Sequence, residues 1–273
     1  MNRLAGRRLR EAAVGWACAL LAALVPVAAD ASRDHRILAD MYVHLDRGRA
    51  SAELGRWREA VAQSDAILLP GAVRYEIRFE GRAIHAESRA RQALDEATAM
   101  WSDAVGDVVF EEASVGEVTF MAMRERLAGR SMAPVEVVIV FSPDGRRGSA
   151  SVGGHIVWQR WVGPLDEGGF GVRVQARIDV RTELPGSRVP LTLSQMRHVI
   201  AHEIGHLLGL DDSPRIGDVM GPLDLNRPAT EPSIEEVLAL RRLRAEARHI
   251  RLRSLLAALS EGGRYNTWRV ASR

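Results

Sequence analysis

The chain lacks lysine entirely and contains a single cysteine, Cys18. All 37 basic residues are therefore arginine, which we interpret as a coding bias and not as a functional choice. One cysteine cannot form a disulfide within the chain. Because Cys18 lies in an apolar leader, the mature protein would contain neither a disulfide nor a thiolate ligand for a metal. Beyond that leader there is no second long apolar run, which excludes a protein with several membrane spans.

Residues 1–31 have the pattern of an export signal peptide. Four arginines lie within the first ten residues, and Ala12–Ala29 is almost wholly apolar. Residues 29–31, Ala-Asp-Ala, have the small-x-small form of a cleavage site, so we predict a secreted or periplasmic protein that begins near Ser32. An uncleaved membrane anchor is the alternative, because the apolar run is close to the shortest length that spans a bilayer. Pro26 and the many small residues favour cleavage.

The charge balance gives no sign of a polyanionic partner. The formal net charge is +2, and it falls to about zero once the leader, with four arginines and two acidic residues, is removed. We therefore predict no nucleic-acid partner and no stable membrane partner. A hydrophobic content of 47% is typical of a globular protein with a sizeable core.

A metal-binding pattern lies at residues 202–212. His202 and His206 are four residues apart, so on a helix both point the same way and can reach one tetrahedral zinc ion. Glu203 lies about 100° further round the helix, where it can hold a water at the metal without being a ligand. Gly209 predicts a left-handed helix end that returns the chain toward the metal. Asp212 would then be the third ligand.

Two further observations bear on this pattern. Asp211, the residue immediately before Asp212, is an alternative third ligand. The two histidines and Glu203, with a glycine and a carboxylate at fixed offsets, should arise by chance in well under about one chain in a thousand. A core helix that merely carries two histidines is therefore disfavoured. Met220 follows Asp212 by eight residues.

These residues resemble the metzincin zinc peptidases, and most closely the matrixin branch. The family pattern H-E-x-x-H-x-x-G-x-x-H is matched over His202–Gly209, and Met220 resembles the Met-turn of the family. The chain departs from the pattern at Asp212, where most of the family has a third histidine. We interpret this as an exchange of ligand, since a carboxylate is an acceptable zinc ligand, although its charge should make the ion a weaker Lewis acid.

The resemblance implies a fold, a cofactor and an activity. It implies an α+β zincin-like domain over residues 73–232, with a twisted mixed sheet, an active-site helix and the Met-turn. It also implies a secreted zinc endopeptidase, in which Glu203 is the general base for a zinc-activated water and the substrate is a protein or peptide. One strand near Gly153–Trp158 would form the sheet edge that binds an extended peptide. The alternative is a catalytically silent or narrowly dedicated zinc-binding module that acts through protein–protein interaction.

The segments that flank this domain are predicted to be helical. Residues 32–72 form a helical hairpin, with a break near Gly48 and Gly55, or a pro-region. Residues 233–273 form a long helix and a tail, and the helix begins with a capping box of Ser233 and Glu236. We expect the leucines of this helix to pack on the catalytic domain; they include Leu238, Leu252, Leu255 and Leu256.

Within the central domain, alternating or β-branched runs predict strands at 73–79, 134–141, 153–161 and 172–180. A helix is predicted over 84–105, and a capping box of Thr192 and Gln195 begins the active-site helix. His155 is more typical of an ordinary strand residue than of a second zinc site. Residues 166–169, Asp-Glu-Gly-Gly, are compatible with a Ca²⁺ loop and equally with an ordinary turn.

Overall fold

A five-stranded mixed β-sheet and helices make up an α+β fold. The computed structural model describes residues 33–113, 136–144, 153–164 and 170–260. The chain divides into two units, Met1–His35 and Arg36–Arg273, and the account below concerns the second. Its strands are β1 (Ala72–Phe79), β2 (Val109–Glu112), β3 (Glu136–Ser142), β4 (Gly154–Pro164) and β5 (Phe170–Arg181).

The order of the strands across the sheet is β2-β1-β3-β5-β4. Of the pairings between described strands, β1–β2, β1–β3 and β3–β5 are parallel, and β4–β5 is antiparallel. The central strand β3 is a run of β-branched and aromatic residues buried almost throughout, as expected for a parallel strand with both faces covered. Among the described strands, β4 lies at an edge, as predicted for this segment.

Among the described helices, two precede the sheet, one lies between β1 and β2, and two follow β5. They are α1 (Ala39–Glu53), α2 (Trp57–Leu68), α3 (Glu87–Val105), α4 (Leu193–Leu208) and α5 (Ile234–Ser260), and a short 3₁₀ helix, Gly81–Ala86, precedes α3. Helix α3 packs against α4, and α2 packs against α1, α5 and the strands β4 and β5. Among the described residues, no helix is long and apolar enough to cross a membrane.

One hydrophobic core joins these elements. Trp101 of α3 is fully buried, as predicted, and its indole N–H donates to the carbonyl of Ala201 in α4 at 2.8 Å. Met41 and Leu45 of α1 belong to the same core as the residues of the sheet and of α4. The hairpin α1–α2 thus shares its apolar face with the central domain. The division of the chain at residue 72 stays a prediction.

The predicted break at Gly48 is wrong. Gly48 lies inside α1, and the turn between α1 and α2 comes at Gly55, whose φ is +71°. A Cβ at Gly48 would lie 3.5 Å from the side chains of Gln63 and Ile250. The glycine therefore marks a close approach of α1 to its neighbouring helices and not a break in the helix.

The packing predicted for the leucines of α5 is also wrong in large part. Leu238, Leu252 and Leu256 are exposed by 40%, 58% and 66%. Leucines occur all round this helix, so their positions alone do not identify the buried face. The buried face of α5 consists mainly of other residues, namely Ala239, Leu240, Leu243, Arg244, Ala247 and Ile250.

Three predictions lie outside the described residues: the signal peptide 1–31, the calcium loop at residues 166–169 and the tail beyond residue 260.

Candidate metal centre

Helix α4 begins and ends as its sequence predicts. Gln195 N–H donates to Thr192 Oγ1 at 3.3 Å, and Thr192 N–H donates to Gln195 Oε1 at 2.8 Å, which completes the capping box. At the other end Gly209 has φ +112°. A Cβ at Gly209 would lie 2.9 Å from the side chain of Met41. Both the backbone conformation and the contact with α1 therefore require glycine at this position.

The two histidines of α4 turn the same ring nitrogen toward a common point. His202 Nδ1 lies 2.9 Å from the carbonyl oxygen of Val219, and His206 Nδ1 lies 2.9 Å from that of Leu210. A carbonyl only accepts, so each Nδ1 carries the proton, and in the neutral imidazole each Nε2 then keeps its lone pair. The two rings meet edge to face with centroids 4.9 Å apart.

Asp212 faces these lone pairs from the loop that follows α4. Its Oδ1 lies 3.4 Å from Nε2 of His202 and 3.4 Å from Nε2 of His206. Asp211 does not belong to the candidate metal group, and its Oδ1 accepts the N–H of Asp212 at 2.9 Å. Over the described ranges, one group of His, Cys, Asp or Glu side chains could hold a metal ion, and it consists of His202, His206 and Asp212. Their roles as ligands stay a prediction.

Glu203 is buried beside this group. Burial raises the pKa of its carboxyl to about 7, while the neighbouring His202 opposes this shift. Strand β4 runs directly against the carboxyl, because a Cβ at Gly154 would lie 2.6 Å from Glu203 Oε1. The sequence alone did not single out Gly154. Because glycine has no Cβ at this position, the edge strand can lie close to the candidate base.

Met220 lies under the same helix. A Cβ at Gly205 would lie 2.2 Å from Met220 Sδ, so the thioether fills the space between the two histidine positions on the inner side of α4. The Met220 N–H donates to Glu236 Oε1 at 2.7 Å. The other oxygen of Glu236 accepts the N–H of Ser233 at 2.6 Å, which forms part of the predicted capping box. One buried carboxylate therefore joins the methionine turn to the start of α5.

Three aromatic or histidine neighbours complete the surroundings. Trp158 of β4 stacks on the His206 ring, with centroids 6.0 Å apart and planes 12° from parallel; nothing in the sequence pattern indicated this contact. His198 is buried, and its Nδ1 accepts the N–H of Ala229 at 3.1 Å. His155 lies in β4 opposite Asp179 and joins no second metal group among the described residues.

Comparison with solved structures shows a distant likeness to a metalloproteinase. No family model matches the chain, and no curated protein matches it. Among solved structures, the crystal structure of metalloproteinase-II from Bacteroides fragilis is similar over 64% of this chain, with 16% identity and a TM-score of 0.36. The match spans about half of that protein, 53% of its length. A likeness this distant leaves the function to be argued from the site itself.

Proposed function

We propose that this protein is a zinc-dependent endopeptidase of the metzincin type, with His202, His206 and Asp212 as zinc ligands and Glu203 as the catalytic base. The observation that carries the proposal is the convergence of two Nε2 lone pairs and one carboxylate oxygen beside a buried glutamate. A purely structural zinc site has no use for such a carboxylate, because zinc in structural sites is already surrounded by its ligands.

The donor set suits zinc. Two imidazole nitrogens and one carboxylate oxygen leave a fourth position open, as in catalytic zinc sites. In a tetrahedron with ligands about 2.0–2.1 Å from zinc, neighbouring donors are roughly 3.3 Å apart, and Asp212 Oδ1 lies 3.4 Å from each Nε2. The carbonyls of Val219 and Leu210 hold both rings in the ligating tautomer.

Each residue then has a definite task. Zinc, when bound, would supply Lewis acidity, which acidifies water and polarises a peptide carbonyl. Glu203 accepts a proton from the attacking water on its carboxylate and returns it to the nitrogen of the leaving amine. Met220 is not a ligand and forms the apolar floor of the site.

The edge strand β4 offers a place for an extended substrate. Among the described strands β4 pairs only with β5, so we place an extended peptide on its other side. Its first residue, Gly154, and the preceding Gly153 lie against Glu203 and Val199 of α4. A peptide added alongside β4 would therefore pass the candidate base, with an affinity that depends mainly on backbone hydrogen bonds.

The decisive experiment combines zinc content with cleavage of unfolded casein and of a peptide library. The wild type should hold about one zinc per chain and cleave, because its three ligands leave one open position. Glu203→Gln keeps the shape of the side chain but cannot accept a proton. It should retain zinc and lose at least about a hundredfold in kcat.

Three results would contradict this proposal or its assignment of the base. A wild type without zinc would remove its basis. A wild type that holds zinc and never cleaves would instead support a silent or narrowly dedicated zinc-binding module. A Glu203→Gln variant as active as the wild type would exclude Glu203 as the base.

We also propose that the protein is exported and cleaved near Ser32, on the strength of its leader sequence. Fractionation of the host cell and amino-terminal sequencing of the mature protein test this. A protein that keeps residues 1–31 in the membrane fraction would favour the uncleaved anchor.

A further inference from the structure

The segment before α1 pairs with the loop that follows the metal helix. Ile37 and Leu210 form an antiparallel β-bridge. The Leu38 N–H donates to the Gly209 carbonyl at 2.9 Å, and the Asp211 N–H donates to the Arg36 carbonyl at 2.6 Å. Asp212 is the next residue of this loop. Residues 36–38 therefore hold the backbone of the loop on which the third candidate ligand stands.

Asp40, in the first turn of α1, reaches the edge strand. Its Oδ2 accepts the indole N–H of Trp158 at 3.2 Å and a guanidinium N–H of Arg160 at 3.4 Å. The same Trp158 ring is stacked on His206. One carboxylate thus fixes the plane of the indole that covers a candidate zinc ligand.

Arg160 extends this contact to the metal helix itself. Its side chain is only 2% exposed, and it donates a hydrogen bond to the carbonyl of Leu207 in the last turn of α4. That turn contains His206, and carbonyls in a last turn have no partner within the helix. Burial lowers the pKa of Arg160 to about 10, and Asp40 opposes the shift. The guanidinium therefore remains charged at neutral pH and depends on Asp40 for compensation.

We propose that residues 36–40 are a positioning clasp for the metal centre: their backbone holds the loop of Asp212, and Asp40 holds Trp158 and Arg160 against the end of the helix that carries His206. This inference rests on the proposed zinc site and adds to it a part of the chain outside the zinc motif. It makes the start of the amino-terminal hairpin a component of the mature site, not a removable pro-region.

The test is zinc affinity, measured on the full mature chain by competition with a chromophoric chelator. Asp40→Asn removes the charge and keeps the shape of the side chain. Trp158→Phe keeps a ring over His206 and removes the N–H that Asp40 accepts. Asp46→Asn is the matched control, since Asp46 lies on the same helix and its side chain is 44% exposed. The absorption spectrum of bound Co²⁺ reports the geometry of the ligands independently of activity.

Changes to groups that orient metal ligands typically cost about 10- to 100-fold in affinity. We expect Asp40→Asn and Trp158→Phe each to weaken zinc binding by about tenfold and to alter the Co²⁺ spectrum, with Asp46→Asn like the wild type. Because Asp40 acts partly through Trp158, its effect should be smaller when Trp158→Phe is already present.

The outcomes distinguish failure of the clasp proposal from failure of the zinc-site proposal. If the wild type binds zinc and both single variants match its affinity and spectrum, the clasp is wrong and the proposed function stands. If the wild type binds no zinc, the proposed function fails and the clasp with it. If Asp40→Asn does not fold, Trp158→Phe decides alone, and wild-type affinity in that variant overturns the proposal.

Discussion

Asp211 and Asp212 are neighbouring carboxylates with different surroundings, and this difference predicts different losses. Asp212 Oδ1 faces both histidines, whereas Asp211 Oδ1 is occupied by a backbone N–H. Asp212→Ala removes a proposed ligand and should weaken zinc binding by more than about a hundredfold, which exceeds the loss expected when a group that only orients a ligand is removed. Asp211→Ala should cost less than about tenfold. Zinc titrations of the two variants settle the choice, and the reverse order of losses would make Asp211 the ligand.

A substitution at Gly154 should cause a different kind of defect, because Gly154 lies against the proposed base, Glu203, and not against the proposed ligands. A methyl group here would lie 2.6 Å from Glu203 Oε1 and 2.8 Å from Val199, so the carboxyl or the strand must move. Gly154→Ala should therefore keep zinc and lower kcat by at least about tenfold, because a misplaced base transfers protons poorly. Val157→Ala changes an exposed position of the same strand and serves as the control for effects on the stability of β4. A variant with normal kcat would mean that the base lies elsewhere during the reaction.

Between elements, Glu236 has two tasks that no single local pattern could indicate. It is 1% exposed and accepts the N–H groups of both Met220 and Ser233. In Glu236→Gln the side-chain NH₂ would face one of these donors, so one buried N–H loses its partner. We expect a loss of about 1–3 kcal/mol in the free energy of unfolding, measured by urea denaturation.

The neighbouring Glu235→Gln is the control for this change. Glu235 makes only a partly exposed ion pair with Arg215, so its loss should leave the urea midpoint near that of the wild type. Equal midpoints for both variants would show that Glu236 does not hold the methionine turn.

The elements that the sequence predicted best are those whose signal is local. The spacing of His202 and His206, the capping box at Thr192 and the glycine at 209 all act within a few residues, so their geometry follows from the helix itself. The contacts that the sequence could not indicate join distant segments. Asp40 and Trp158 are 118 residues apart, and their pairing depends on how the hairpin packs on the sheet.

The same distinction explains the errors in the helices. Gly48 was expected to break a helix because glycine is a poor helix former, yet tertiary packing against Gln63 and Ile250 keeps it helical. In α5 the leucines suggested a buried face, whereas the buried side includes the charged Arg244. A buried arginine is predictable only when its partners are known, and those partners lie in other elements.

At the scale of the whole molecule, buried arginines connect the hairpin, the sheet and α5. Arg244 is 1% exposed and bonds to the carbonyls of Ile67 and Leu68 and to Asp107. Arg160 connects β4 to α1 and α4 in the same manner. A guanidinium has five donors in a fixed plane and can serve several acceptors at once, which one lysine ammonium does less well. Whatever the origin of the all-arginine composition, Arg160 and Arg244 each bond acceptors on several elements of the fold.

The ion pairs of Asp107 with Arg244 and Arg248 predict how the stability of the fold changes at acid pH. Burial raises its pKa, but hydrogen bonds from Arg244 and Arg248 lower it more, so the pKa of Asp107 lies below its ordinary value. A carboxyl with a depressed pKa contributes stability above its unfolded pKa of about 3.9, and this contribution is lost as the pH falls through the folded value. Wild type should therefore be more stable than Asp107→Asn at pH 7, and the difference should shrink below about pH 4.

Urea unfolding of both proteins at several pH values between 7 and 3 measures this difference, and carboxyls common to both cancel from the comparison. Asp103→Asn, at an exposed position of α3, is the matched control and should follow the wild type throughout. If the difference between wild type and Asp107→Asn were constant with pH, or grew toward acid, the ionised carboxylate could not be what Arg244 requires. The arginine would then be held by the carbonyls of Ile67 and Leu68 alone, and α5 would depend on α2 rather than on the turn after α3.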